Sequence, residues 1–318
     1  MGTAISTTDF MFAGQTGLYH GKVRDVYSLG EDKLLMIATD RISAFDVILP
    51  KPIPYKGQVL NQLAAHFLDK TSDIVPNWLK AVPDPNVSVG LKAQPVMLEM
   101  IVRGCLVGSA WRDYQSGKRD LCGNKLTEGM EEYDRFETPI VTPTTKADVG
   151  HDENITPDAA IKAGLCTAQE WEQLSDYAQK LFARGQEMAQ AQGLFLADTK
   201  YEFGRLDGKI ILIDEVHTPD SSRYFYADSY EAFVSGKSSD KPKQLSKEFV
   251  REWLMERGFS GQTGETMPDL PDDFVQQVTD RYIELYEKMS GQKFEKADVS
   301  DVQKRIETNI KQYLEKAS

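Results

Sequence analysis

The chain has 318 residues, 41% of them apolar and 27% charged, with 49 acids against 37 bases for a formal net charge of −12. That length suits about two domains with real cores, and no run of roughly 18 apolar residues is present from which a membrane-spanning helix could be built. The acidic balance disfavours nonspecific binding to nucleic acid or an anionic membrane, and Cys105, Cys122 and Cys166, with no C-x-x-C spacing, indicate neither a disulfide framework nor a thiolate metal site.

The first residues, MGTAISTTDFMF, carry neither the basic start nor the long apolar stretch of a secretory signal, so the expected compartment is the reducing cytoplasm. Residues 17 to 50 read as strands joined by tight turns: GKVRDVYSL, a Gly30-Glu31-Asp32 turn, then KLLMIATD. Gly14, Gly17 and Gly21 precede Lys22, a pattern in which backbone N–H groups approach phosphate oxygens while the lysine supplies charge. It fails as a Walker A motif, because Val23 stands where Ser or Thr would bind magnesium and strands, not a helix, follow. A glycine loop between two strands, like the lid over phosphates in kinase-type folds, stays open.

TDRISAFDV places Asp40, Arg41, Ser43 and Asp46 directly after an apolar strand, where loops favour polar ligand contacts; turn and cap chemistry is the plainer reading of the same residues. ILPKPIPYKG then leads into a helix around 58–69, with Leu60, Leu63, Ala64 and Phe67 on one stripe. The break AVPDPNVSVG sets a boundary near residue 90, dividing a β-rich lobe, 1–90, from a larger α/β part, 91–318, in an α+β protein. In the strand-like PVMLEMIVRG and beyond, Arg103 and Ser109 offer a fork-shaped cation and a hydroxyl for a carboxylate or phosphate, although Glu99 can equally pair Arg103. His151, Asp152 and Glu153, just past Lys146, read more simply as a loop cap than as a metal site. From 156 to 192 the pattern is helical, opened by a Thr167/Glu170 capping box and closed by Gly193; further helices are expected near 246–257, 272–289 and 299–316.

The most informative stretch runs from Leu194 to Phe225. In LADTKYEFG the period of two puts Asp198, Lys200 and Glu202 on one strand face, about 6.6 Å apart. GRLDGK reads as a hairpin connection, so Lys209 to Val216 would return beside the first strand and deliver Asp214 and Glu215 to the same region. A two-residue Asp207-Gly208 turn would bring Glu215 onto the Lys200/Glu202 face, whereas a three-residue loop with Gly208 left-handed would bring Asp214. Carboxylates beside a lysine on buried strands suit a divalent cation and phosphate, the acids as oxygen ligands and the ammonium neutralising a phosphoryl oxygen. Ser221, Ser222 and Arg223 form a second candidate anion pocket. The scattered histidines support neither a Ser-His-Asp triad nor an H-E-x-x-H zinc site, which argues against hydrolysis by either route, while the charged face and anion pockets support a magnesium–nucleotide enzyme acting on an anionic small molecule.

GKVRDVY, TDRISAFD, EMIVRGCLVGS, TPTTKADVGHDEN, LADTKYEFG and DEVHTPDSSRYF, in this order over about residues 20 to 226, together resemble the SAICAR synthetase family of purine biosynthesis, in its longer form. The resemblance implies a fold related to ATP-grasp and kinase-like architectures. It implies a ligase that uses ATP to join L-aspartate to carboxyaminoimidazole ribonucleotide through an acyl phosphate. By motif position, Lys22 and Arg24 would meet ATP phosphates, Pro95 to Leu98, including Val96 and Met97, would line the adenine pocket, and Lys146 would add a nucleotide or substrate contact. Glu202 and Asp214 resemble the family's magnesium ligands, which selects the three-residue hairpin loop. Arg103, Ser109 and Arg223 would hold the ribonucleotide's phosphate or carboxylates, with Asp40, Ser43, Asp198, Lys200 and Ser222 completing that pocket and His151 and Asp152 nearby. Leu106-Val107 depart from the small residues common there in relatives. A kinase-like phosphotransferase and a nucleotide-binding regulator without turnover are the rival readings; the absence of an H-R-D-x-x-x-x-N loop counts against a protein kinase.

Overall fold

The computed structural model describes residues 4–146 and 152–317. Its first sheet is antiparallel and begins with β1 (Gln15–His20), β2 (Arg24–Leu29) and β3 (Lys33–Ala38), followed by a small hairpin of β4 (Ser43–Ala44) and β5 (Val47–Ile48). Helix α1 (Lys56–Lys70) buries Leu60, Leu63, Ala64 and Phe67, the stripe its periodicity predicts. Strands β6 (Leu79–Asp84) and β7 (Val87–Leu91) complete the sheet in the order β1-β2-β3-β7-β6.

The chain passes within two residues into a second sheet through β8 (Gln94–Cys105). After α2 (Gly108–Gln115) and a minor hairpin of β9 (Asp120–Leu121) and β10 (Asn124–Lys125) comes β11 (Arg135–Thr145), then α3 (Pro157–Lys162) and α4 (Ala168–Ala191). The Thr167/Glu170 capping box is formed in both directions, and Leu174, Ala178, Leu181 and Phe182 of α4 are buried. Strands β12 (Leu194–Leu206), β13 (Lys209–Ile213) and β14 (Ser222–Tyr226) finish the sheet. One edge of β12 pairs with β8; the other is shared, residues 194–199 going to β14 and 202–206 to β13. Between those partners the chain leaves the ladder, so residues 214–221 are free to turn into the space beside Lys200.

Helix α5 (Ala227–Val234), which has no counterpart among the expected spans, is followed by α6 (Glu248–Met255), α7 (Asp272–Ser290) and α8 (Val302–Ala317), close to those expected. The last of these returns to the first sheet: Val302, Ile306 and Ile310 share a core with Tyr27, Leu35 and Ile37. A larger core lies between α4, the inner faces of β8 and β12, α1 and α7. Among the described residues no helix is long and apolar enough to cross a membrane.

Candidate active site

One face of the second sheet is apolar and packed on α4, through Met100 and Val102 of β8 and Tyr201 and Phe203 of β12, which are fully buried. Strand alternation then commits the other face to charge. In register, Arg103 lies opposite Asp198, Ile101 opposite Lys200 and Glu99 opposite Glu202, with Thr142 and Thr144 of β11 flanking Ile101 and Glu99. Asp198, Lys200 and Glu202 do share a face, and all three border the cleft between the sheets.

The hairpin register differs from the expected one. Leu206 pairs with Lys209 across a two-residue turn in which Asp207 (φ 49°) and Gly208 (φ 73°) are both left-handed, so Ile213 lies opposite Glu202 and a continued ladder would bring Glu215, not Asp214, opposite Lys200. An Asp-Gly turn of this kind matches the twist of the flanking strands better than a three-residue loop. Asp214 reaches the cleft by another route: β13 ends at Ile213, and Asp214 adopts φ 59°, which breaks the alternation. Asp214 and Glu215 therefore both line the cleft. Arg24 sits between them, its Nη1 3.4 Å from Asp214 and its Nη2 bonded to Glu215, which also accepts a 2.8 Å bond from the Thr218 hydroxyl. Burial opposes the Arg24 charge, but these two acids hold its pKa above the ordinary value.

Lys200 Nζ donates to Glu99 at 2.7 Å and to Glu202, while Lys146 Nζ takes the second Glu202 oxygen. Glu99 thus pairs Lys200, not Arg103. Burial alone would discharge both partners; instead Lys200 and Lys146 draw Glu202 down to about 2, and Glu202, Glu99 and Asp214 hold Lys200 well above its usual value. Lys200 is a fixed cation, not a proton acceptor.

Of the three glycines before Lys22, only Gly21 belongs to the loop at the cleft; Gly17 lies within β1 and Gly14 in the turn before it. The loop Gly21–Val23 is gripped from behind by Arg41, whose guanidinium donates to the carbonyls of Gly21 (2.8 Å) and Lys22 (3.2 Å) and to Asp25 (2.8 Å). Burial works against the Asp25 charge, yet Arg41, His20 and Thr8 hold its carboxyl below the usual range. Lys22 points across the cleft to an ion pair with Asp46 of the β4–β5 hairpin.

These groups meet at the junction of two cavities. One, about 480 Å³, has an apolar wall of Val26, Leu34, Met36, Leu91, Pro95 and Ile213. The other, about 450 Å³, is lined by Ser43, Arg103, Ser109, Asp198, Arg223 and Arg251, among others. Lys22, Val23, Arg24, Glu99, Asp152 and Asp214 border both. In the polar cavity Arg103 donates to Thr142 (2.8 Å), Asp198 (3.1 Å) and Ser109 (3.2 Å), and Arg223 bridges Asp198 and Glu248 (2.9 Å). Arg223 and Arg251 draw buried Glu248 down to about 2. A Cβ on Gly108, at φ 60°, would fall 2.2 Å from the Arg223 guanidinium, so glycine there lets Arg223 lie against α2. Leu106 and Val107 are buried in two small clusters away from this cavity, and their bulk does not alter its lining.

Four residues expected at the site, Asp40, Ser222, Val96 and Met97, do not line the cleft. Asp40 is 4% exposed and does not border the cleft; its two oxygens accept the backbone N–H groups of Ile5 and Gly57, each at 2.9 Å, tying the N-terminal segment to the start of α1. Ser222 turns inward to the Thr199 hydroxyl (2.7 Å), leaving Ser221 at the cavity, because pairing in β14 fixes its side of the strand. Val96 packs in the main core, and of the Pro95–Leu98 stretch Pro95 provides the wall, while the Met97 carbonyl accepts the Lys146 N–H at 3.2 Å. His151 lies outside the described residues. Arg112, Lys247 and Arg251 line the polar cavity without having been singled out from sequence. A signal existed for two of them: a basic pair four residues apart at the start of α6, where the helix dipole favours anions.

Comparison with known proteins identifies the family. The SAICAR synthetase family model matches residues 17–268. The phosphoribosylaminoimidazole-succinocarboxamide synthase of Bacteroides thetaiotaomicron is 57% identical over 315 residues, covering 98% of this chain and 99% of that protein. That of Flavobacterium psychrophilum is 53% identical over 313 residues, covering 98% of each. The solved SAICAR-synthase of Saccharomyces cerevisiae, complexed with SAICAR, superposes with a TM-score of 0.77 at 34% identity, over 91% of this chain and 99% of that one. With both the sequence motifs and the two-sheet architecture shared nearly end to end, the chain belongs to the SAICAR synthetase family.

Proposed function

We propose that this chain is the ATP-dependent ligase that joins L-aspartate to the imidazole carboxylate of carboxyaminoimidazole ribonucleotide, releasing ADP and phosphate, in purine biosynthesis. The observation that carries the reading is the shared junction: an apolar cavity suited to a nucleoside base opens onto a cation-lined cavity suited to an anionic substrate, and lysines and carboxylates stand where the two meet. A substrate carboxylate oxygen attacks the γ-phosphorus, the bond to the bridging oxygen breaks, and ADP leaves. The aspartate amine then attacks the acyl carbon of the mixed anhydride, the carbon–oxygen bond breaks, phosphate leaves and the amine proton passes to solvent. Such a sequence needs placement and charge neutralisation but no enzyme nucleophile.

Lys22 and Lys146 are assigned to the nucleotide phosphates, and Lys200, held charged by its acids, to the oxygens that carry charge during transfer. Arg103, Ser109 and Arg223 are assigned to the ribonucleotide's anionic groups, with Asp198 fixing both guanidiniums. Glu202 and Asp214 stand on the wall of one cavity, and such a pair of carboxylates fits magnesium, which takes one or two carboxylates and completes its shell with phosphate and water. Glu202 and Asp214 would hold it, and it would screen the phosphate charge. The three cysteines are buried and free, which supports the cytoplasm as the working compartment.

The test is release of ADP from ATP and the imidazole carboxylate substrate, with and without L-aspartate. ADP release that ignores aspartate would favour a phosphotransferase, and nucleotide binding without release a regulator. A pH dependence is also expected. Burial lowers the Lys247 ammonium to about 8, assisted by Arg251 and Lys56 and opposed by Asp220. Its charge is lost as pH rises through that value, so KM for the ribonucleotide should climb above about pH 8, and Lys247→Arg should remove the climb. A wild-type KM flat across that range would show that Lys247 does not touch the anion.

A further inference from the structure

We infer that Trp78 is a positioning residue for Asp214, holding that acid at the junction of the two cavities from across the inter-sheet boundary. Its indole Nε1–H donates to the Asp214 carbonyl at 2.9 Å. This bond falls on the one residue whose left-handed conformation takes its carboxylate out of the strand alternation. A non-glycine residue at φ 59° needs support from its surroundings, and the indole supplies it.

The rest of Trp78 is fixed on three sides. Its backbone N–H donates to the Leu212 carbonyl at 3.0 Å, while the Leu212 N–H donates to Pro76 at 2.8 Å, so residues 76–78 are stitched to β13 just before the acid turn. Its carbonyl accepts the Leu91 N–H at 2.8 Å within the first sheet. The space it fills exists because residue 90 is glycine: a Cβ there would stand 2.0 Å from the Trp78 carbonyl oxygen and 2.5 Å from its ring. The same indole borders the apolar cavity. One side chain therefore touches the base cavity, spans both sheets and fixes the backbone of Asp214.

This inference rests on the assignment of Asp214 to magnesium, and Trp78→Phe tests it by keeping the ring and removing the N–H. ADP affinity would be measured by calorimetry with and without magnesium chloride, alongside half-saturating magnesium and KM for aspartate in turnover. In the variant, the gain in ADP affinity conferred by magnesium should shrink by roughly three- to tenfold, the size of one lost hydrogen bond, and half-saturating magnesium should rise by the same factor. ADP affinity without magnesium and KM for aspartate should stay within about twofold. Half-saturation values do not depend on the fraction of enzyme that is folded, so partial loss of stability does not mimic this pattern. An unchanged magnesium gain overturns the inference, as does an equal loss of ADP affinity with and without the metal, which would make Trp78 a cavity wall only. A wild-type protein that binds ADP with a magnesium gain but shows no aspartate-dependent release would overturn the ligase reading and leave the role of Trp78 standing.

Discussion

Glu202→Gln is expected to lower kcat by about 10³-fold while leaving the fold intact. The side chain is 5% exposed and glutamine matches its volume, so packing is preserved. Its hydrogen bonding is not. In the wild type each carboxylate oxygen receives a different ammonium, Lys200 on one and Lys146 on the other. An amide has a single acceptor oxygen; its NH₂ must face one of the two lysines, donor against donor. Whichever lysine turns away leaves the place where phosphate charge is to be neutralised, and the site loses a carboxylate beside Asp214 at the same time. Steady-state turnover as a function of magnesium, paired with thermal unfolding, checks both halves. Activity within tenfold of wild type would remove Glu202 from the centre of the mechanism.

Asp198→Ala is expected to cost roughly 3–5 kcal/mol of stability, because it strips the shared counter-ion from two buried guanidiniums. Arg103 and Arg223 both donate to one oxygen of Asp198 and are themselves buried or nearly so. Burial already lowers the Arg103 pKa, with the charge of Arg223 acting in the same direction and Asp198 opposing it. Without the carboxylate, two like charges face each other with only Thr142, Ser109 and Glu248 to satisfy them. An added anion should therefore bind between them, and inorganic phosphate should raise the midpoint of denaturant unfolding more in the variant than in the wild type. A loss below about 1 kcal/mol, with no extra response to phosphate, would mean that solvent screens the pair and that Asp198 does not organise the cavity.

The three charges of D-x-K-x-E were legible as one face because alternation is a local property of an extended chain, and the apolar residues that alternate with them, Tyr201 and Phe203, say which face is buried. The α4 capping box and the stripe of α1 were legible for the same reason: both lie within a few residues of one another. The polar misreadings share a different cause. Asp40 resembles a ligand residue in sequence, yet its carboxylate binds the N–H groups of Ile5 and Gly57, and no local pattern reveals that those two amides would be its partners. The hairpin shows both sides of this limit. Asp207-Gly208 specified the two-residue turn, whereas the arrival of Asp214 in the cleft depends on β13 ending where β14 fails to continue it and on Trp78, 136 residues away, holding the turn.

By itself, then, the sequence determined the element types, the charged face of β12 and the family. Folding in three dimensions decided which of several acids and hydroxyls meet the cleft, which cations on α2 and α6 join them, and that α8 returns to the first sheet. The physical reason is range. Backbone period and capping act over a turn or two of chain, whereas ion pairing and burial of polar groups are settled by whichever distant partner the packed core brings within about 3 Å.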